Sequence, residues 1–372
     1  MRDRCVRVTA GDARASYDVV IAPGALARLG ELAAATARAS RYAVIADATV
    51  ASLYGNTACE ALARVGPAEQ FTFRQGEPSK TRETWARLSD AMLERGLGRD
   101  ACVVALGGGV TGDLAGFVAA TYMRGLPWIQ VPTSLLAMID ASIGGKTGVD
   151  VPAGKNLVGA FLQPRAVAVD TDLLATLPPD EFRNGLAEAV KHGAICDASY
   201  FAWIEENAAG ILGGDAALLP ELVQRSIEIK AGVVSADPHE HGQRASLNFG
   251  HTVAHAIERA TAFGIPHGQA VAVGMVAEAA IGEAAGITKA GTAARLTHAL
   301  RALGLPAHIP PHLDAETLLS AASGDKKARG SRLRWALISQ IGQAARSEGG
   351  EWTVEISEQT VHSVLQSGPG SA

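Results

Sequence analysis

The chain has 372 residues, 48% hydrophobic and 19% charged, which suits a globular protein long enough to form two cores. Its 33 basic and 38 acidic residues give a net charge of −5, with no basic excess to suggest nucleic-acid binding. Four scattered cysteines (Cys5, Cys59, Cys102 and Cys196) form no CxxC pair, which argues against a disulfide framework or a cysteine zinc site and fits a cytoplasmic protein. The N-terminal stretch lacks the apolar core of a signal peptide, and no window reaches the ~18 uncharged apolar residues of a membrane span.

Residues 4–9 and 16–21 alternate like short strands, and an Ala/Leu-rich helix is expected after Pro23. Tyr42–Ala46, residues 70–74, Cys102–Leu106 and Trp128–Val131 read as strands, separated by helical patterns through Arg64 and over Thr81–Arg95. Strands alternating with helices predict a Rossmann-like, doubly wound α/β sheet. Beyond the Leu177-Pro178-Pro179 break the texture becomes helical, over 179–195, 214–235, 247–262, 268–286 and 290–303. Only Arg334–Ser339 and Trp352–Ile356 look strand-like there. Two domains are therefore expected, 1–177 and 178–372, the second mainly α-helical.

CVVALGGGVTGDLAGF sets Gly107, Gly109 and Gly112 in a GxGxxG spacing between a strand and a helix start, the context a dinucleotide loop requires. No acid follows at the usual interval of about twenty residues. Asp47, at the end of an earlier strand, is the candidate ribose-binding acid, which gives a nucleotide site of non-standard order. The alternative is a glycine-rich packing turn. Arg124, Thr133, Ser134, Asp140, Lys146 within GGKTG, and Lys155-Asn156 follow closely. Lysines next to glycines suit phosphate oxygens. GGKT is not a Walker motif, because Asp140 stands where its first glycine would be.

In the helical half, Glu188 and Lys191 lie three apart in GLAEAVKHG. They form either an exposed ion pair of little consequence or part of a metal site. The stretch from Arg244 to Gly268 holds Asn248 and three histidines, of which His251 and His255 share a helix face. Two histidines and a carboxylate make an open metal site of the kind that leaves a position for substrate. Lys230, Arg244 and Lys326 add cations. Together these features suggest oxidation or elimination on a small acidic, phosphorylated hydroxy-compound.

The blocks GGGVTGDLAGFVAATYMRG, QVPTSLLAMIDASIGGKTGVD, GKNLVGAFLQP, GLAEAVKHG, RASLNFGHTVAHAIE, HGQAVAVGM and DKK, in this order and spacing, resemble the 3-dehydroquinate synthase family over about residues 40–340. The resemblance implies bound NAD+, one divalent metal (Zn2+ or Co2+) and a homodimer. It implies Glu188, His251 and His267 as metal ligands. Cofactor contacts fall on Glu77, Lys80, Gly109–Asp113, Thr133, Ser134 and Thr176, with Lys146 and Lys155 at the seam of cofactor and substrate. Substrate contacts fall on Arg124 (from the neighbouring subunit), Asp140, Lys146, Asn156, Lys230, Arg244, Asn248, His255 and Lys326. His255, Lys146 and Asn156 would hold the departing phosphate. The implied reaction converts 3-deoxy-D-arabino-heptulosonate 7-phosphate to 3-dehydroquinate and phosphate. Three positions depart from the family pattern: Gln269 for a usual Glu, Ser134 for Thr, and Thr49 for Asn. The alternatives are a sister cyclase of secondary metabolism, an NAD- and metal-dependent polyol or glycerol-phosphate dehydrogenase, and a catalytically silent binding protein.

Overall fold

Buried apolar runs build one seven-stranded sheet in the order β1-β2-β9-β6-β5-β3-β4. The computed structural model describes residues 3–10, 12–238, 242–323 and 333–367. The strands are β1 (Arg4–Ala10), β2 (Asp12–Ile21), β3 (Arg41–Asp47), β4 (Ala68–Phe73), β5 (Ala101–Gly107), β6 (Trp128–Pro132) and β9 (Ala166–Val169). All neighbours pair in parallel except β1 and β2, which form an antiparallel hairpin at the edge. Every residue of β5 is buried, as a strand covered on both faces must be. Its neighbours in the core include Leu114, Phe117 and Val118 of helix α5 (Gly109–Thr121) and Leu88 and Met92 of α4 (Arg82–Glu94). The remaining helices of this half are α1 (Leu29–Thr36), and α2 (Ala48–Val50) and α3 (Asn56–Leu62), joined by a π-turn over Ala51–Gly55.

The expected α/β alternation is present, with two additions. β9, a buried Ala-Val-Ala-Val run, was too short to separate from a loop by periodicity. The Lys/Gly-rich stretch, to which the sequence assigned no strand, folds into a hairpin of β7 (Lys146–Val151) and β8 (Gly154–Phe161). β7 lies against α5 at Gly116, where a Cβ would come within 2.4 Å of Thr147 Cγ2. Glycine is what permits that approach.

The chain forms two compact units. The first comprises Met1–Pro178 together with Leu219–Ser235, and the second Pro179–Leu218 together with Ala236–Ala372. Thus α8 (Leu219–Ala236) groups with the sheet that precedes it in the chain by forty residues or more, although its composition resembles the helical half. Arg4 Nη1 reaches Glu221 and Gln224 of α8, each at 2.7 Å, and Lys230 is buried against Asp140. The expected helix over 214–235 begins only at Leu219, because Gly214 takes φ +72° in the preceding turn.

The second unit contains α6 (Pro179–Cys196), α7 (Ala198–Leu212), α9 (His251–Ala260), α10 (His267–Ala284), α11 (Thr292–Ala302), α12 (Ala315–Ser323) and α13 (Glu358–Ser367). Short strand pairs β10–β13 (Arg334–Trp335, Val354–Glu355) and β11–β12 (Ile338–Gln340, Gln343–Ala344) complete it. The single strand expected over Arg334–Ser339 is therefore two. α10 is buried on nearly every side, as a helix rich in Ala and Val around most of its circumference should be.

Candidate active site

In the first unit, β3 leads to β4 on one side of the sheet and β5 leads to β6 on the other. The C-terminal ends of β3 and β5 are therefore the topological switch point, where open α/β sheets bind ligands. Asp47 ends β3, and Gly107 ends β5 beside it, two residues beyond the Ile45–Ala105 pair. The acid and the glycine loop are thus neighbours in space although the acid comes sixty residues earlier in the chain. Asp47 Oδ1 also accepts from the backbone N–H of Thr49 and Val50, capping the helix that follows.

The glycines of the loop serve different purposes. A Cβ on Gly107 would lie 2.3 Å from Thr111 Oγ1, so packing requires glycine there. A Cβ on Gly109 would meet nothing nearer than Ala141 Cβ at 3.4 Å, and one on Gly112 nothing nearer than Gln130 at 3.7 Å, both ordinary contacts. The protein's own packing therefore does not demand glycine at these two places. α5 starts at Gly109 with Gly108 as a cap that has no side chain, so its first N–H groups and positive dipole end suit a pyrophosphate. Thr133 donates its N–H to Gly107 O at 3.0 Å, and Ser134 Oγ lies beside Gly108, which brings the end of β6 to the loop. Thr176, in a 3-10 turn, bonds Tyr54 OH and donates to Leu173 O at 3.2 Å.

One turn into α5, Asp113 belongs to a charge cluster around Lys80. The buried Lys80 ammonium stands 2.9 Å from Glu77 Oε1, 3.4 Å from Asp113 Oδ2 and 3.6 Å from Asp150 Oδ1. Burial works against that ammonium, but Asp113, Glu77 and Asp150 outweigh it and raise its pKa. Burial pushes the Asp113 carboxyl up to about 6 despite Lys80. Lys155 Nζ lies 3.5 Å from Glu77, and the Asn156 N–H donates to Asp150 Oδ1 at 2.8 Å with Asn156 at φ +56°. Glu77, Lys80, Asp113, Lys155 and Asn156 thus form one linked network, while Lys146 is exposed at the start of β7. Asp140 lies in a π-turn over Ala137–Ala141, and its carbonyl and Oδ1 accept from Lys230 Nζ at 2.5 and 2.6 Å. Arg124 stands apart, past the far end of the 13-residue α5 and about 20 Å from the glycine loop.

In the second unit, α6, α9 and α10 bring Glu188, His251 and His267 together, with one ligand atom of each within 4.8 Å of the others. Glu188 Oε1 lies 3.6 Å from Nε2 of both histidines. His251 Nδ1 donates to Phe249 O at 3.2 Å, and His267 Nδ1 donates to Glu258 Oε1 at 3.1 Å. With Nδ1 so committed, each Nε2 is the nitrogen turned toward Glu188, the arrangement metal-binding imidazoles adopt. An ion bound tetrahedrally at about 2.0–2.2 Å holds its ligand atoms about 3.3–3.6 Å apart, so the observed spacing fits one. The residues present therefore suit a divalent transition metal.

The Glu188–Lys191 pair is buried, at 1% and 3% side-chain exposure, which removes the reading of an exposed surface bridge. Burial, and next Lys191, push His251 down to about 3, so its imidazole is neutral. Burial opposes charge on His267 as well, but Glu188 and Glu258 outweigh it and raise its pKa to about 9. His255 lies one turn beyond His251, with ring centroids 5.5 Å apart, and is exposed along with Asn248. Arg244 is buried, donating its N–H to Asp237 Oδ2 and its guanidinium to Pro238 O. Lys326 lies outside the described residues.

Three supporting residues were not picked out from the sequence: Asn184, Glu258 and Glu278. Asn184 Oδ1 accepts from Gly268 N–H and so fixes the start of α10 one turn from Glu188. Of the three, only Glu258 carried a signal, because it stands seven residues after His251 on the same helix face.

Residues 70–184 match the family described as 3-dehydroquinate synthase N-terminal, and residues 185–328 match 3-dehydroquinate synthase C-terminal. A 3-dehydroquinate synthase of Xanthomonas axonopodis pv. citri is 47% identical over 342 residues, covering 90% of this chain and 92% of the relative. Among solved structures, a 2-deoxy-scyllo-inosose synthase complexed with carbaglucose-6-phosphate, NAD+ and Co2+ superposes with TM-score 0.88 at 27% identity, covering 98% of this chain and all of its own. A 2-epi-5-epi-valiolone synthase from Streptomyces hygroscopicus subsp. jinggangensis, with NAD+ and Zn2+ bound, gives 0.82 at 29% identity over 94% of this chain and 95% of its own. Both halves of the chain, the one with the glycine loop and the one with the histidine cluster, thus carry the same relationship, and the chain belongs to the 3-dehydroquinate synthase family.

Proposed function

We propose that this enzyme converts 3-deoxy-D-arabino-heptulosonate 7-phosphate to 3-dehydroquinate and phosphate, in the shikimate pathway to aromatic amino acids. The observation that carries the reading is the convergence of Glu188 Oε1, His251 Nε2 and His267 Nε2, within a chain 47% identical to a curated 3-dehydroquinate synthase. NAD+ supplies a reversible hydride acceptor, and a divalent metal (Zn2+ or Co2+) supplies a Lewis acid for the alcohol being oxidised.

The protein's own residues bind, orient and move protons. Asp47 serves the cofactor ribose, and the Gly109–Gly112 turn with the start of α5 receives its pyrophosphate. Glu77, Lys80, Asp113, Thr133, Ser134, Lys155 and Thr176 line the cofactor, the charge network around Lys80 holding Asp113 and the β7–β8 hairpin in place. Glu188, His251 and His267 hold the metal. His255, Lys146 and Asn156 grip the substrate phosphate, which itself accepts the proton as it leaves. Asp140, Lys230, Arg244, Asn248 and Lys326 bind the hydroxyls and carboxylate. Arg124, about 20 Å along α5 from its own glycine loop, is assigned to the site of a neighbouring subunit in a homodimer.

The test is to incubate enzyme, NAD+, metal and heptulosonate phosphate, following free phosphate and NADH absorbance together. Phosphate release without accumulating NADH is expected. Stoichiometric NADH would instead make the protein a polyol-type dehydrogenase. Turnover of glucose 6-phosphate or sedoheptulose 7-phosphate, with none of heptulosonate phosphate, would make it a sister cyclase.

A further inference from the structure

The helix that carries His251 begins without a side-chain cap of its own. The residue before it, Gly250, adopts φ +82°, and a Cβ there would lie 2.7 Å from Met275 Cγ and 2.9 Å from Met275 N. On the facing helix, a Cβ on Gly274 would come within 1.9 Å of Gly250 O. Two glycines therefore bring the start of α9 against α10 so closely that none of the usual Ser, Thr, Asp or Asn caps fits. The cap comes from across the interface. Glu278 stands one turn after Gly274 on α10 and is completely buried. Its Oε2 accepts the Gly250 N–H at 2.8 Å and its Oε1 the Val253 N–H at 3.0 Å, and the Thr252 N–H also bonds the carboxylate. These donors bracket His251, the first residue of α9, and the helix dipole favours negative charge at this end.

We propose that Glu278 is a positioning residue for the cation site: capping α9 from α10, it fixes the first helical turn, and with it His251, before any metal arrives. The inference rests on the reading that Glu188, His251 and His267 hold a divalent cation. The order it describes belongs to the metal-free protein. Glutamine at 278 would keep one acceptor oxygen and turn an NH2 toward a backbone N–H, leaving that donor buried and unpaired.

Amide hydrogen exchange on the metal-free wild-type protein is the first arm. Residues 250–253 should be as protected without Zn2+ as with it. Protection that appears only when Zn2+ is added would overturn the proposal, because the metal would then be ordering the turn. The second arm is Glu278→Gln, titrated with Zn2+ against a chromophoric chelator and with Co2+ by its visible spectrum. Zn2+ affinity should fall about 10–100-fold, as it does when supporting bonds around a metal ligand are lost, and the Co2+ bands should shift. A folded Glu278→Gln protein with wild-type Zn2+ affinity and Co2+ spectrum would overturn it. If that variant does not fold, the exchange arm decides alone. His251→Ala, measured in parallel, separates the premises: metal retained in that variant refutes the ligand set and leaves the exchange result to judge Glu278.

Discussion

The two units each contain a buried cluster of charge, and the clusters solve opposite problems. Around Lys80 three carboxylates, Glu77, Asp113 and Asp150, lie 2.9–3.6 Å from one ammonium, so the protein supplies its own cation. Around Glu188 two imidazole Nε2 atoms each lie 3.6 Å from one carboxylate oxygen, with each ring's other nitrogen already committed. Lys191 balances one oxygen of Glu188, while the other is turned to the histidines. The first cluster is closed and holds structure together. The second is a set of donor atoms whose spacing suits an ion. Similar residue types thus do different work, and the spacing of their donor atoms distinguishes them.

The largest expected effect comes from His251→Ala. Bound metal should disappear by elemental analysis and activity should fall by more than about 100-fold, beyond what loss of a supporting bond costs. An active variant free of metal would end the contrast between the clusters. Next, Lys80→Met should strand the carboxylates of the first cluster. Breaking a buried pair costs about 3–5 kcal/mol, and the low end applies because Glu77 is 38% exposed and partly screened by water. The urea midpoint reads this, and an unchanged midpoint would mean that the cluster does not hold the hairpin. Glu258→Gln should weaken metal binding about tenfold with little change in the melting temperature, because it removes a charged acceptor from His267 Nδ1. A loss of stability without loss of affinity would make Glu258 structural only.

A dependence on pH acts more gradually than any of these substitutions. The protonated form of His267 stabilises the metal-free fold. That contribution is full below pH 6.5 and is lost as the pH rises through about 9. Metal binding within this window has to displace the proton, so affinity should rise about tenfold per pH unit. Calorimetry in buffers of different ionisation enthalpy should show the proton released. Affinity independent of pH would mean that His267 is not a ligand.

Much of the candidate site was legible in the residue order, through blocks with a physical signature. A strand followed by Gly107-x-Gly109-x-x-Gly112 and a helix announces its loop locally. Position alone favoured His251 with His255 as a pair, because residues four apart share a helix face. The fold instead turns His251 toward His267, sixteen residues on, and toward Glu188 from another helix. Asp47 could be named as an acid from elsewhere in the sheet, but its place beside Gly107 depended on the strand order. The hairpin of β7 and β8 was missed because its glycines and lysines imitate a loop. Glu278 left no trace in the sequence, for a carboxylate in an apolar helix shows its purpose only when the backbone it caps is beside it.

By itself the sequence determined what short-range physics can fix: the alternation of strands and helices, the glycine loop at the end of a buried strand, the family blocks, and the residue types able to bind a metal. The tertiary structure decided which of those residues meet. It put α8 with the sheet rather than with the helices beside it in the chain, and set three carboxylates on Lys80. It also aimed two imidazole nitrogens at one carboxylate oxygen. The reason is physical. Propensity and periodicity act over a few residues, whereas the energy of a buried charge depends on atoms within a few ångströms, and here those come from positions up to ninety apart in the chain.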